Sequence, residues 1–176
     1  MLHKDMGNHK AALPLYTRAL EIREAVLGPR HPDTAASLSN LATIHQAMGN
    51  HKAALPLLTR ALEISEAVLG PRHPHTAISL NNLATLHHDM GNHKAALPLF
   101  TRALEIREAV LGPRHPDTAI SLNDLATLHH AMGNHKAGLP LLTRALEISE
   151  GVLGPRHPDT ATSLSNLATL HHAMGT

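Results

Sequence analysis

The sequence predicts an all-α protein whose helix pairs stack into a right-handed α-α superhelical solenoid. Three observations predict this fold class. A unit of 42 residues recurs along the chain, because the tripeptide Met-Gly-Asn begins at Met6, Met48, Met90 and Met132. Apolar residues within each repeat recur at helical spacing. Apolar residues make up 43% of the chain but aromatic residues only 1%, so most of them are Ala and Leu, which favour helices.

The repeat divides the chain into four copies and a fragment of a fifth. We expect a single array over residues 1–176, with a partial helix at 1–5 and the start of a fifth repeat at 174–176. The second and third repeats differ at only five positions, which indicates recent duplication or deliberate consensus design. One helix pair is too small to be stable alone, so neighbouring pairs must stack to bury a continuous core. The four repeats span 6–47, 48–89, 90–131 and 132–173.

The first helix of a pair is predicted from about residue 74 to residue 90, where two repeats meet. Pro74 suits the first helical position, and Gly91 supplies the left-handed residue that ends a helix. The other copies carry Asp where this one has His75. Because an acid favours the positive end of the helix dipole, we expect this helix to begin less well than the others.

The second helix is predicted from an Asn92 cap to about Leu111, where Gly112 and Pro113 end it. Pro98 lies inside this helix, and a proline there costs about 3 kcal/mol or introduces a kink. The apolar stripe continues on both sides of the proline. We therefore predict a bend at this position rather than a break.

Composition and charge exclude several classes of function. The formal net charge is +1, which gives no electrostatic case for nucleic acid or an anionic membrane as partner. The chain has no Cys, so disulfides and thiolate chemistry are excluded. The first residues do not form a signal peptide, and no apolar run approaches about 18 residues. The expectation is a soluble, cytoplasmic protein.

The sequence offers no candidate catalytic residues and implies no cofactor. It contains no Gly-rich phosphate loop and no pair of carboxylates in a recognisable pocket. The motif Gly-Pro-Arg-His-Pro recurs, and we interpret its Arg30 and His31 as exposed residues of the turn between helices. The sequence therefore predicts a protein that is not an enzyme.

Four segments carry a family pattern: Ser-Leu-Asn-Asn-Leu-Ala at 79–84, Ala-Leu-Pro-Leu at 96–99, Arg-Ala-Leu-Glu-Ile at 102–106 and Leu-Gly-Pro-Arg-His-Pro-Asp at 111–117. These motifs resemble the 42-residue tetratricopeptide repeats of kinesin light chains and their prokaryotic relatives. The resemblance covers essentially the whole chain. It implies that the proline inside the second helix is accommodated.

The chain departs from this family in two ways. It lacks a heptad segment, so association with kinesin is not implied. It also carries His where family repeats usually carry Tyr, which predicts lighter cores. The histidines at these positions are His9, His45, His51, His87, His93, His129, His135 and His171.

The resemblance implies that the first helix of each pair lines a concave groove that holds an extended peptide. Neutral amides and hydroxyls there could donate to and accept from a peptide backbone. The corresponding positions in this chain are Ser39, Asn40, Thr43, Gln46, Asn81, Asn82, Thr85, His88, Asp89, Asn123, Asp124, Thr127, His130, Ser165, Asn166, Thr169 and His172.

Differences between the repeats favour this groove, since many of them fall on it. They also occur elsewhere, as at Ser65 and Arg107 on the second helices, so drift of surface positions is an alternative explanation. No Lys or Arg occurs between Pro32 and Met48, nor in the corresponding later helices. A neutral or mildly basic segment is therefore the expected ligand, and an acidic peptide is not favoured.

Histidine suggests a further hypothesis, because the chain contains 17 of them. His88, His130 and His172 recur on neighbouring helices about 8–10 Å apart, where imidazoles could converge on a metal. Against this hypothesis, no repeat has two His at i, i+4, and no His-Glu-x-x-His motif is present. We assign no metal-ligating residue.

The ends of the chain suggest self-association. The last predicted helix, from about residue 158 to 174, lacks the second helix that should cover its apolar residues. Arrays usually finish with a polar capping helix, and none is visible. We expect a homo-oligomer in which chains stack head to tail or exchange helices. The residues left uncovered are Ala161, Leu164, Leu167 and Ala168.

Overall fold

The computed structural model describes residues 2–175, and the side chains of residues 8–175. Helices are the only regular secondary structure across 2–175, which confirms the all-α class. The eight helices are α1 Leu2–Leu27, α2 Pro32–Ala47, α3 His51–Val68, α4 Pro74–Asp89, α5 His93–Leu111, α6 Pro116–Ala131, α7 His135–Val152 and α8 Pro158–Met174.

The chain forms two compact units, one ending at Met90 and the other beginning at Gly91. The N-terminal unit holds α1–α4 and the C-terminal unit holds α5–α8. Within each unit consecutive helices pack against each other, and α2 also contacts α4 as α6 contacts α8. In each unit, the two helices that correspond to the first helix of a pair therefore share one face. We call these the first-type helices (α2, α4, α6 and α8) and the others the second-type helices (α1, α3, α5 and α7). That all repeats form a single array stays a prediction.

The core of each unit is built from Leu, Ala and Ile, as the composition indicates. In the N-terminal unit Leu20 of α1, Leu38 of α2 and Ile64 of α3 belong to one buried cluster. In the C-terminal unit Leu142 of α7 and Leu170 of α8 pack with Ala126 of α6. Burial of one such leucine contributes about 1.5–3 kcal/mol. The apolar stripes of these helices are thus buried against neighbouring helices.

The first-type helices begin with a histidine cap that the sequence did not suggest. His31 precedes Pro32 in extended conformation, and its Nδ1 accepts a hydrogen bond from the Asp33 backbone N–H at 3.1 Å. Arg30 is exposed, and His31 is half-buried and caps α2. The His31 side chain is 40% exposed, in line with its interpretation as an exposed turn residue, but its capping role was not predicted. The same bond forms at the starts of α4, α6 and α8.

A glycine and a threonine close the turn before each first-type helix. Gly112 has φ 100° and ψ 159°, a backbone region that is essentially restricted to glycine. Its carbonyl accepts a hydrogen bond from the buried Thr118 Oγ1 at 2.8 Å. The turn is thereby tied to the first turn of α6.

The second-type helices continue through their internal prolines. α5 runs without interruption past Pro98, so the helix does not break there, while the bend stays a prediction. Asn92 does precede α5, as predicted. Its side chain makes no capping hydrogen bond, however, so the expected cap is right in position and wrong in mechanism.

The beginning of the chain also differs from expectation. α1 is one helix from Leu2 to Leu27, so the partial helix predicted at 1–5 is not separated from the next one. The same tripeptide forms a turn at Met48, where Gly49 has φ 76°. A segment of about five residues is too short to be stable as a separate helix, and it extends α1 instead.

Candidate functional site

The shared face of α2 and α4 contains a cavity of about 200 Å³. Most of the lining residues come from these two helices, and the C-terminal end of α3 closes the bottom. The cavity is lined by Pro32, Ala35, Ala36, Ser39, Asn40, Ser65, Leu69, His75, Ile78, Ser79 and Asn82.

Three predicted groove residues of the N-terminal unit meet at this cavity: Ser39, Asn40 and Asn82. The Asn40 side chain is exposed and that of Asn82 is half-buried. Neither amide has a hydrogen-bond partner within residues 8–175, so both can donate to and accept from a ligand. The other predicted residues of this unit lie on α2 or α4 outside the cavity: Thr43, Gln46, Asn81, Thr85, His88 and Asp89.

The threonines of the predicted groove are less available than expected. Thr43 Oγ1 donates to the Ser39 carbonyl at 3.0 Å, and Thr85 Oγ1 donates to the Asn81 carbonyl at 2.9 Å. Thr127 and Thr169 make the same bond to their own helices. These hydroxyls can still accept a hydrogen bond from a ligand. Their protons are already used, so the expectation that they also donate to a peptide is not supported.

The C-terminal unit has a smaller cavity of about 70 Å³ between α6 and α8. It brings together four predicted groove residues, Thr127, His130, Asn166 and Thr169, with apolar side chains beneath them. Asp124, Ser165 and His172 lie on the same two helices but do not line it.

Asn123 was predicted to line the groove, but it is buried between α6 and α8. Its side chain is buried, its Nδ2 donates to Ser163 Oγ at 2.9 Å, and its Oδ1 accepts from Asn166 Nδ2 at 3.4 Å. Because both ends of this amide are engaged inside the protein, Asn123 is not available to a ligand. It joins α6 to α8.

The two units can be compared position by position, since equivalent residues are 84 apart in the sequence. Ser39 of the N-terminal unit corresponds to Asn123 of the C-terminal unit. In the N-terminal unit Ser65 and Ser79 pair through their hydroxyls at 3.0 Å. In the C-terminal unit the residue equivalent to Ser79 is bonded to Asn123 instead, and the buried Ser149 Oγ has no partner among the described residues.

Sequence reasoning missed the part played by the second-type helices. Ser65 and Arg107 differ between repeats, and both are buried, so drift of a solvent-facing position does not explain the difference. Arg107 donates to Ser121 Oγ at 2.5 Å and to the Asp117 carbonyl at 3.4 Å. Burial lowers the pKa of Arg107, while the carboxylates of Asp117 and Asp124 oppose that shift. The sequence signal that could have identified this contact is the 14-residue spacing between Arg107 and Ser121, which is also the spacing between Ser65 and Ser79.

Histidine rings contact each other in pairs among the described residues, as His73 and His75 do with ring centroids 5.4 Å apart. His130 and His135 share a hydrogen bond between their Nδ1 atoms at 3.2 Å, and their rings lie 4.9 Å apart. Within residues 8–175, no three or more His, Asp or Glu side chains come together in a group that could hold a metal ion. The convergence suggested for His88, His130 and His172 therefore gains no support from the structure.

Alternating first- and second-type helices, with a shared face on the first type, define the protein as an α-solenoid of helix pairs. The chain belongs to the tetratricopeptide repeat (TPR) family, whose model matches residues 1–67, 36–109, 81–137 and 125–175. This confirms the resemblance found in the sequence. TPR proteins are generally protein-interaction scaffolds and are typically not enzymes.

Solved structures of kinesin-light-chain type are similar to this chain. Two are crystal structures of nearly identical TPR-like repeats of a Podosopora anserina kinesin light chain, one of them a variant. They are 26% and 27% identical, with TM-scores of 0.83 and 0.82, and in both cases the match covers 99% of this chain and 83% of the other. BtubC (BKLC) from P. vanneervenii is 25% identical with a TM-score of 0.85, covering 98% of this chain and 68% of the other.

Two further comparisons are negative. No curated protein sequence matches the chain. Among the described helices, none combines the length and apolar character needed to cross a membrane.

Proposed function

We propose that this protein is a non-catalytic scaffold that binds an extended peptide segment of a partner protein along the face shared by α2 and α4. One observation carries the proposal: the amides of Asn40 and Asn82 stand at a cavity of about 200 Å³ and have no partner within residues 8–175. A peptide backbone offers both N–H and C=O groups, and each amide can pair with either. Backbone pairing of this kind holds a segment regardless of its side chains.

The charge of this face limits the ligand. Neither α2 nor α4 contains Lys or Arg. Its acids are Asp33 in the first turn of α2 and Asp89 at the last residue of α4, and both are exposed. An acidic segment would find no counter-charge on these helices. A neutral or mildly basic segment is the ligand that this face favours.

The experiment is a peptide-display selection on the parent chain, followed by titration of the enriched peptides. The test variant is Asn40→Ala with Asn82→Ala. A neutral hydrogen bond contributes about 1 kcal/mol, so loss of two should weaken binding roughly 30-fold. The matched control is Asn50→Ala with Asn92→Ala, because those exposed asparagines make no side-chain capping bond. Equal binding by the test variant and the parent would overturn the proposal.

A specific observation favours a second function, self-association. Leu164 of α8 is 46% exposed, whereas the equivalent Leu122 of α6 is fully buried. Ala161 and Ala168 are exposed on the same helix, and Leu167 is half-buried. The face that α6 packs against α7 is thus uncovered on α8.

α1 exposes an apolar residue that is buried at the equivalent position of α3. Ile22 is 53% exposed, whereas the equivalent Ile64 of α3 is 4% exposed. Among the described residues, a second-type helix face is therefore exposed on α1 and a first-type face on α8. The occupant we propose for each is a second copy of this chain, in the head-to-tail arrangement that repeats the internal packing.

Light scattering over a dilution series tests this second function. The parent should have a mass above the monomer that falls on dilution, and Leu164→Glu should be monomeric because it places a charge in the contact. Val152→Glu is the matched control, since Val152 is half-exposed as its equivalents Val68 and Val110 are. A parent mass equal to the monomer at every dilution would exclude self-association.

A further inference from the structure

At the bottom of the cavity between α2 and α4, two buried serine hydroxyls already have hydrogen-bond partners within the protein. Ser65 Oγ donates to the Ala61 carbonyl at 2.9 Å, so the hydrogen bond of 3.0 Å between the two serine hydroxyls is donated by Ser79. Both hydroxyl protons are therefore committed inside the protein. The rest of the floor is formed by Ala35 and Leu69. A group that enters the cavity meets apolar surface and no free donor on its floor.

The rim of the cavity is partly apolar and carries no fixed charge. Ile78 is 47% exposed there, and Ala36 is exposed beside it on α2. No Asp, Glu, Lys or Arg lines the cavity, and His75 is its single titratable residue. A charged side chain would lose hydration here and would find no opposite charge on the lining, only the neutral amides of Asn40 and Asn82, so its burial is costly. An aliphatic side chain loses nothing and buries apolar surface.

Ser39 keeps this space open. At the equivalent position of the C-terminal unit, Asn123 extends its amide to Ser163 and Asn166. The cavity of that unit does not include Asn123; it lies further along α6, at Thr127 and His130, and is about 70 Å³ instead of about 200 Å³. A serine is too short to make the same bridge, so Ser65 and Ser79 pair with each other and the space above them stays free.

The rest of the rim differs in both directions: Ile120 replaces Ala36 and is more apolar, whereas two other positions are more polar in the C-terminal unit. The C-terminal unit has Asp159 and Thr162 where the N-terminal unit has His75 and Ile78. A carboxylate and a hydroxyl make that position more hydrophilic than its counterpart. The two units therefore differ in where their cavities lie and in the polarity of residues at equivalent positions.

We propose that the cavity at Ser39 is a pocket for one uncharged aliphatic side chain, of about the size of leucine, and that Asn123 closes the equivalent pocket of the C-terminal unit. Ser39 is then the residue that determines where along the chain such a side chain is accepted. The inference rests on the proposed peptide groove and adds the class of residue that the groove selects.

The experiment uses N-acetyl-leucinamide as the probe, titrated into the ¹⁵N-labelled parent chain and followed by NMR. Saturable shifts are expected at the backbone amides around Ser39 and Ile78. Binding of N-acetyl-alaninamide should be roughly 10-fold weaker, because the smaller side chain buries less apolar area. N-acetyl-glutamic acid amide should not shift these amides.

Two variants at one position separate filling of the pocket from loss of the serine. Ser39→Asn copies the residue of the C-terminal unit and should abolish the shifts. Ser39→Ala leaves the space open and should retain them. Unchanged far-UV circular dichroism shows that both variants are folded, and both substitutions are small enough for this to be expected.

Each outcome bears on the pocket alone. Shifts that persist in Ser39→Asn, or no saturable shifts in the parent up to the solubility limit of the probe, overturn the inference. The peptide groove is tested by Asn40→Ala with Asn82→Ala; because these residues also line the pocket, the probe is titrated only into the parent and the two Ser39 variants. Loss of peptide binding in that variant together with a negative probe titration would leave the groove standing without the pocket.

Discussion

Asn123 on α6 donates a hydrogen bond to Ser163 on α8, with 2.9 Å between Nδ2 and Oγ, and both side chains are buried. The bond ties two first-type helices of the C-terminal unit directly to each other. It also leaves Ser149 without a partner among the described residues, whereas the equivalent Ser65 is paired with Ser79. One residue thus changes which helices are joined and which hydroxyl is satisfied.

Ser163→Ala should lower the free energy of unfolding by about 1–3 kcal/mol, because the buried Asn123 amide loses its acceptor. Asn123→Ser should cost less, since Ser149 and Ser163 can then pair as Ser65 and Ser79 do. Urea unfolding measures both changes. Ser165→Ala is the control, because Ser165 is exposed and should change stability by no more than about 0.5 kcal/mol. A Ser163→Ala variant as stable as the parent would contradict the assignment.

Ser121→Ala should destabilise the protein more than Arg107→Ser. Ser121 accepts from the buried Arg107 guanidinium, and its removal leaves that charge with fewer acceptors, at a cost of about 1–3 kcal/mol. Arg107→Ser removes the charge itself and copies Ser65, whose hydroxyl pairs with the serine equivalent to Ser121. The comparison is made by urea unfolding of the two variants in parallel. The reverse order of stability would show that burial of Arg107 is not the dominant cost.

His31→Ala should cost about 1 kcal/mol of stability, because the Asp33 backbone N–H loses its acceptor at the start of α2. His31→Asn should restore most of the loss, since asparagine is among the preferred capping residues. Arg30→Ala next to it serves as the control, as Arg30 is exposed. Thermal unfolding followed by circular dichroism distinguishes the variants. Equal losses for His31→Ala and His31→Asn would argue against a capping role.

Gly112→Ala should cost about 1–3 kcal/mol, because a residue with a side chain is strained at φ 100° and ψ 159°. Gly151→Ala should have the opposite effect and stabilise α7 by about 0.5–1 kcal/mol. An added Cβ at Gly151 meets only Arg114 Nη2, at 3.3 Å, which is the tip of a flexible side chain. Melting temperatures of the two variants should move in opposite directions from the parent. A shift in the same direction would refute one of the two assignments.

The fold was largely predictable because its signals are local. Pro74 and Gly112 mark helix ends wherever the repeat places them, and the predicted end of α5 at Leu111 is confirmed. Context overrides such signals at Met6, where α1 continues through a tripeptide that forms a turn at Met48. The histidine cap at His31 was missed because histidine is not among the residues that usually cap helices.

The site was less predictable, because it depends on contacts between distant residues. The sequence placed Ser39 and Asn123 at equivalent positions on one face. It could not show that an amide reaches Ser163, 40 residues away, while a serine leaves a cavity. The same holds for Arg107, whose burial follows from packing between α5 and α6 rather than from any pattern within one helix.

The repeats also have a genetic consequence. Their near-identity makes the corresponding stretches of the gene good substrates for unequal recombination and gene conversion. A conversion tract carrying the Ser39 codon to position 123, or the reverse, would alter how many pockets are open and leave every helix boundary in place. The binding properties of such a chain can therefore change through the copying of sequence that it already contains, without passing through an untested fold.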